Sequence, residues 1–387
     1  DGGTVNVLDG SYAGASIPKT LTMVGSGWAR DGVSHLISSG AVVGGTLTVA
    51  ADDVTIQDLG VSGAAFGVLV RTSLSNLTLD NVGITANMGV LVDAATAPFC
   101  TVDGLSINDC DISYCNTYGV MVGGLASVTG FALSGGHIDG TNALAATHSD
   151  SVGLYSQAST AAPGATFSGS IQGTTFIGNT RKGIYLEKGD NVTMSDLTID
   201  DCGNFGGTGN TNFGAGIDIN MKYGDYSGIQ VTNCQITNCG NGDPNGNGNG
   251  VTIKARDDGA YAASPATLDG VTLTGLTISG CQRGFRVGEP GKLNATPTGV
   301  SITGSTFDAN ALGDGANVAR VGNVVQATGN TWSGGATTDA QIEALVYHYV
   351  DDHALGYVDW GQGTPDATSL SVQNVSGATG ATVQLAA

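Results

Sequence analysis

The sequence predicts an all-β fold, a right-handed parallel β-helix of about a dozen short coils. Three observations predict it. An eight-residue pattern recurs ten times between Val54 and Trp332. A second element, glycine followed by alternating apolar residues, follows most copies. Glycine reaches 63 of 387 residues without a collagen period, which signals many turns.

The eight-residue pattern reads apolar, x, apolar, x, a polar or glycine turn residue, x, x, apolar. It begins at Val54, Leu77, Leu105, Phe131, Gly169, Val192, Ile229, Val271, Val300 and Val325, at spacings of 23 to 42 residues. The second element starts at Gly67, Gly89, Gly119, Gly183, Gly216, Gly250 and Gly284. Alternation with period 2 turns one side of each strand to a core and the other outward. A coil of three short strands cannot bury its apolar side alone. It stacks on its neighbours at about 4.8 Å per coil, giving a rod on the order of 50 Å. A two-sheet sandwich would need hairpin turns every 8–12 residues, which this spacing does not supply.

One aligned corner position reads Ala64, Asn87, Cys115, Thr141, Asn179, Cys202, Cys239, Cys281 and Asn310. Small or amide side chains there predict an internal ladder that hydrogen-bonds coil to coil. The seven cysteines are an odd number, which argues for buried thiols in small slots over a disulfide framework. A Cys202–Cys239 bridge stays open as an alternative. No histidine stands beside the cysteines at zinc spacing.

These repeats resemble the pectate-lyase-like superfamily of right-handed β-helices, in particular the β-helical modules of large bacterial surface proteins. The resemblance covers residues 1–335. It implies the fold and leaves the function open, because that fold carries lyases, hydrolases, epimerases, phage spikes, adhesins and fibres. The paired aspartates expected of related pectin hydrolases and the Asp-Pro-His motif of alginate epimerases are both missing from the sequence.

The two ends differ from the middle. Residues 338–350 place Ile342, Leu345, Val346 and Tyr349 at helical spacing, and Thr338 with Gln341 fits a capping box. Residues 336–360 therefore read as an amphipathic helical cap over the open end of the solenoid. His348 and His353 beside Asp351 and Asp352 read either as capping polar groups or as a metal cluster. Residues 361–387 hold two alternating strands, the start of an immunoglobulin-like module or a strand for assembly. The abbreviated first coil looks unfinished as well, so both ends suggest continuation.

The formal net charge of −20 disfavours nucleic acid and anionic membranes as partners. It suits an extracellular or cell-surface protein, and carboxylates at this density could bind calcium. No run of 18 apolar residues occurs, so no membrane insertion is expected.

Nine of the 13 basic residues lie between positions 181 and 292. Alignment on the glycine element puts Tyr155, Tyr185, Asp218, Thr252 and Arg286 in one outward column. The longest inserts, at 141–150, 203–213, 240–249 and 255–266, fall in the same region and would build a binding face. One reading is a groove for an acidic polysaccharide cleaved by β-elimination. Lys254 or Lys222 is then the base, Arg286 the charge neutraliser and Tyr185 the proton donor. Lys188, Arg256, Asp218 and Tyr155 would bind the polymer, and Asp257, Asp258 and Glu289, with Asp218, could hold calcium. The competing reading pairs these charges across coils on a solvated face.

Two functions from different classes follow. The first is a structural or adhesive extracellular module, a subunit of a surface layer, sheath or filament that self-associates end to end. The second is a polysaccharide lyase acting on a uronate-containing polymer. Ice binding through threonine rows finds no regular column to support it.

Overall fold

The computed structural model describes residues 2–31, 37–63, 65–141, 151–204 and 213–361. Three long parallel sheets wind around one core. Sheet 1 has 13 strands, from Gly3–Val7 to Tyr357–Asp359. Sheet 2 has 12, from Ala15–Ile17 to Val346–Tyr347. Sheet 3 runs from Gly10–Tyr12 to Thr306–Asp308, with Trp28–Arg30 added antiparallel at one side. The chain is a parallel β-helix, as its repeats predict.

The eight-residue repeat is one corner of the coil. Its first half lies in sheet 1 and its last residues in sheet 3, as in Val54–Gln57 followed by Gly60–Ser62. The turn residue between them is Asp58, Asn81, Asp109, Gly135, Gly173, Asp196, Asn233, Gly275 and Gly304 in successive coils, each with φ between 48° and 67°. Left-handed backbone is costly for most L-residues and tolerated by Asp, Asn and Gly. That cost explains why no other residue type occupies the position. Outside the turn, Asn81 Nδ2 donates to Asp58 Oδ1 at 2.7 Å, and Asn76 Nδ2 to Asp53 Oδ1 at 2.7 Å.

The glycine element forms sheet 2. Its alternate residues point inward, so that Val68 and Val70 join Val54, Ile56 and Val61 in the core. The glycine is required by close approach. A Cβ at Gly89 would stand 2.5 Å from the Gly119 carbonyl oxygen and 3.1 Å from Cys115 Sγ. Opposite five of these glycines sits a corner ladder residue: Cys115 at Gly89, Asn179 at Gly153, Cys202 at Gly183, Cys239 at Gly216 and Cys281 at Gly250. The ladder side chains bond coil to coil, but backwards to the backbone. Asn179 Nδ2 donates to the Ile138 carbonyl at 3.2 Å, and Cys202, Cys239 and Cys281 reach the Phe176, Ile199 and Ile236 carbonyls at 3.8 Å each. All seven cysteines are free and buried, so no Cys202–Cys239 bridge is formed.

Inserted length concentrates around sheet 2. From the third coil on, two residues separate each sheet 1 strand from the following sheet 3 strand. The long connections run from Asp139 to Val152, Asp200 to Ala215 and Thr237 to Asn249, entering sheet 2, and from Ala255 to Thr267, leaving it. Of the inserts read as a binding face, 240–249 and 255–266 border this one sheet, while residues 142–150 and 205–212 lie outside the described residues.

The far end differs from the expected helical cap. The helix is one turn, Asp339–Glu343, with Gln341 Oε1 accepting from the Thr338 amide at 3.2 Å. Beyond it the chain returns to strand. Val346 and Tyr347 pair with Gly315 and Ala316 in sheet 2, and Tyr357–Asp359 pairs with Val324–Gln326 in sheet 1. The open sheet edges supply backbone partners that an isolated helix turn cannot, and the Val-Tyr run suits a strand. Ile342 and Val346 still seal the core, together with Trp332, whose ring stacks on Phe307 at 5.3 Å. His348 is fully buried as a cap residue: its Nδ1 accepts from the Val358 amide at 2.9 Å and its Nε2 meets Glu343 at 3.2 Å. Asp351 and Asp352 accept the His348 and Ala354 amides, so these groups close turns. Of the 361–387 tail, only Gly361 lies within the described residues.

At the near end lies the first described coil. Val5, Leu8 and Tyr12 are exposed at 45%, 70% and 42%. They rim an apolar depression of about 360 Å³ whose floor includes Met23 and Val43. None of the described helices is long and apolar enough to cross a membrane.

Candidate functional site

The outward column of sheet 2 exists as read from the sequence. Tyr155 pairs with Tyr185, Tyr185 with Asp218, Asp218 with Thr252 and Thr252 with Arg286. It extends back through Met121, Leu91 and Leu69, which with Tyr155 and Tyr185 form a second apolar cluster on the outer face. The Tyr155 and Tyr185 rings stack at 4.8 Å with an interplanar angle of 4°.

The face is not an open groove. Tyr155, Tyr185, Asp218, Lys254 and Arg286 are all buried. The Phe213 ring lies 4.8 Å from Lys254 Nζ and 5.3 Å from the Arg286 guanidinium. Tyr261 lies 4.4 Å from Arg256 and 5.4 Å from Lys222 Nζ. Both aromatics come from the long inserts, which thus cover the cations with ring faces.

Apart from Arg256 with Asp258, which lie in one coil, cations pair with carboxylates one coil away, as the competing reading expects, but out of solvent. Lys182 bonds Asp218, and Lys222 bonds Glu187. Lys254 meets Glu289 at 3.2 Å, and Arg256 meets Glu289 at 3.1 Å and Asp258 at 2.9 Å. Asn220 Nδ2 and Lys222 Nζ both reach the Tyr185 hydroxyl, at 3.0 and 3.3 Å.

Electrostatics follow from burial. Burial pulls Lys254 down to about 7 against the pull of Glu289, and it pulls Lys182 well below the usual ammonium range with the help of Lys254 and Arg181. For Lys222 burial acts in the same direction, but Tyr185 and Glu187 outweigh it and raise the ammonium. Burial and the Glu187 carboxylate push the Tyr185 phenol up. Two assigned roles thus find matching protonation: a Lys254 able to be neutral, and a protonated Tyr185. Access is what the arrangement withholds.

The remaining sequence-derived residues serve the scaffold. Lys188 points into the body of the solenoid, where its Nζ donates to the Gly123 and Ala126 carbonyls, and burial brings it to about 8. Asp257 accepts Asn294 Nδ2 at 2.6 Å and the Ala295 amide at 2.8 Å, pinning a turn. Asp258 is held by Arg256, Asn294 and Lys292, and hydrogen bonding from Arg256 brings it down to about 2. With Glu289 taken by Lys254 and Arg256, and Asp218 by Lys182, the four carboxylates read as calcium ligands are each committed to protein donors. Among the described residues no group of three His, Cys, Asp or Glu side chains could hold a metal ion.

Sequence reasoning missed Lys182, Arg283, Phe213 and Tyr261. The first two carried a readable signal. The residue just before the repeat glycine is Phe66, Met88, Tyr118, Val152, Lys182, Ala215, Asn249 and Arg283, a second outward column beside the first. Phe213 and Tyr261 sit in inserts without repeat register, so no alignment could place them.

No family model and no curated protein matches the chain. Two solved structures resemble it. One is the catalytic unit of the thermostable GH87 α-1,3-glucanase from Streptomyces thermodiastaticus strain HF3-3, at 16% identity and a TM-score of 0.46 over 92% of this chain and 61% of that one. The other is the Dettilon tailspike protein, at 12% identity and a TM-score of 0.41 over 88% of this chain and 62% of that one. The chain spans about three fifths of each neighbour's length.

Proposed function

We propose that the protein is a structural module of an extracellular surface assembly, of the kind carried by large bacterial surface proteins, and that it self-associates through its first coil. The observation that carries this reading is the first described coil. Among the described residues the strands Gly3–Val7, Gly10–Tyr12 and Ala15–Ile17 each have a partner on one side only, beside exposed Val5, Leu8 and Tyr12. Unpaired strand edges next to apolar side chains are a template for a further coil. The occupant is a second copy, whose first coil offers the same edges and the same apolar rim.

The lyase reading is weaker on this geometry. A polymer would have to displace Phe213 and Tyr261 and break buried ion pairs to reach Lys254 or Lys222. The test is sedimentation velocity across a wide concentration range, with Val5→Lys and Leu8→Lys in parallel. Association that both substitutions abolish is the expected result. A wild-type chain that stays monomeric throughout overturns the reading. Release of unsaturated products from a uronate polymer, lost in Lys254→Ala, would restore the lyase.

A further inference from the structure

The geometry points to a binding site for a small carboxylate, between Arg283 and Arg286 at the far end of sheet 2, independent of the assembly reading. The two guanidiniums, with Tyr347, Ala316 and Val318, line a cavity of about 190 Å³. That is below the usual range for drug-sized ligands and fits a small acid, up to about one sugar ring. Tyr347, exposed at 42%, marks the mouth.

The cavity holds more positive charge than its walls neutralise. Arg286 donates from Nη1 to the Asn247 carbonyl at 2.7 Å and from Nε to the Gly288 carbonyl at 3.2 Å. Its Nη2 has no partner among the described residues, although the side chain is 2% exposed. Arg283 Nη1 meets only a carbonyl, that of Gly315 at 3.4 Å. Neither arginine has an ion pair among the described residues. The nearby acids are occupied: Glu289 by Lys254 and Arg256, and Asp243 by the Asn245 and Phe213 amides. Burial draws Arg286 down to about 10, with Glu289 and Asp243 only partly opposing it. The Phe213 ring face gives further partial compensation.

A buried Arg286 guanidinium beside a half-buried Arg283, neither with a carboxylate, is a costly arrangement, and an incoming carboxylate relieves it by accepting from both. Planar donor forks match the two oxygens of a carboxylate. Ala316 and Val318 offer an apolar wall for the rest of the ligand. The chemistry is shared by free organic acids and by a single sugar acid, and the test separates them.

Titration calorimetry at constant ionic strength with acetate, glucuronate and glucose reads the site, with chloride as the balancing anion. Heat with acetate and glucuronate, and none with glucose, is the expected result. Glucuronate binding more tightly than acetate would assign the sugar ring a place as well. Arg283→Gln should weaken binding about tenfold or more, and Arg283→Lys should recover part of it. Circular dichroism of both variants confirms the fold. No heat with either acid, or an affinity unmoved by Arg283→Gln in a folded protein, overturns the site.

Discussion

At the scale of the residue, strand pairing decides which side chains share a face. Register placed Tyr155, Tyr185, Asp218, Thr252 and Arg286 side by side, because strand pairing repeats the coil alignment. Register does not report what lies above a face, so burial by Phe213 and Tyr261 was not legible. Lys188 shows a signal that charge hid. It lies two residues past Leu186, at the inward register position of Met221 and Ala255, and its ammonium reaches two carbonyls. Replacing it with methionine removes both bonds and should destabilise the fold by about 2 kcal/mol, measured by urea unfolding near pH 7. The pH dependence has a definite sign. The folded ammonium sits at about 8 and the unfolded one at its ordinary, higher value. Below both values the two states are equally protonated at this site. As pH rises through 8 the folded state loses its proton first, so wild type should gain stability relative to Lys188→Met. A wild-type advantage that stays flat over that window would contradict the assignment.

At the scale of the element, the corner between sheets 1 and 3 was almost fully legible. Only Asp, Asn and Gly occupy its turn position, and the positive φ found there is the physical reason. The ladder was legible as small residues but not as a partnership with glycine across the coil. That partnership predicts a cost. At Gly153 an added Cβ would lie 2.5 Å from the Gly183 carbonyl oxygen and 2.7 Å from Phe176 Cδ1. Gly153→Ala should therefore destabilise by about 2 kcal/mol through overpacking, and a matching loss in thermal midpoint would register it. Gly164→Ala, with nothing within 4 Å, is the control and should be close to neutral. The terminal segment misled for a different reason. Ile342 and Val346 suit a helix face by spacing, yet strand partners at the sheet edge decide the outcome.

At the scale of the molecule, three sheets share one continuous core, and every cysteine faces it or its corners. Burial holds Cys110 and Cys115 up at about 12, whereas the hydrogen bond with Cys239 draws Cys281 down, so what protects all seven alike is burial from the reagent. A thiol reagent should leave all seven unmodified in the native protein and label all seven after denaturation. Early labelling of one or two would mark coils that open before the rest, as a stack of neighbour-dependent units allows. The two ends are unlike: the far one is sealed by Trp332 and Ile342, whereas the near one exposes Val5 and Leu8.

The two-residue link between sheets 1 and 3 bears on how such a chain can change over generations. From the third coil on one margin is fixed, and the opposite margins, on either side of sheet 2, accept 11 or more residues without shifting the stack. Insertions there alter what covers one face and leave the rod intact. Novelty in this architecture can therefore accumulate along a single side, coil by coil, while the rest of the chain stays under constant geometric constraint.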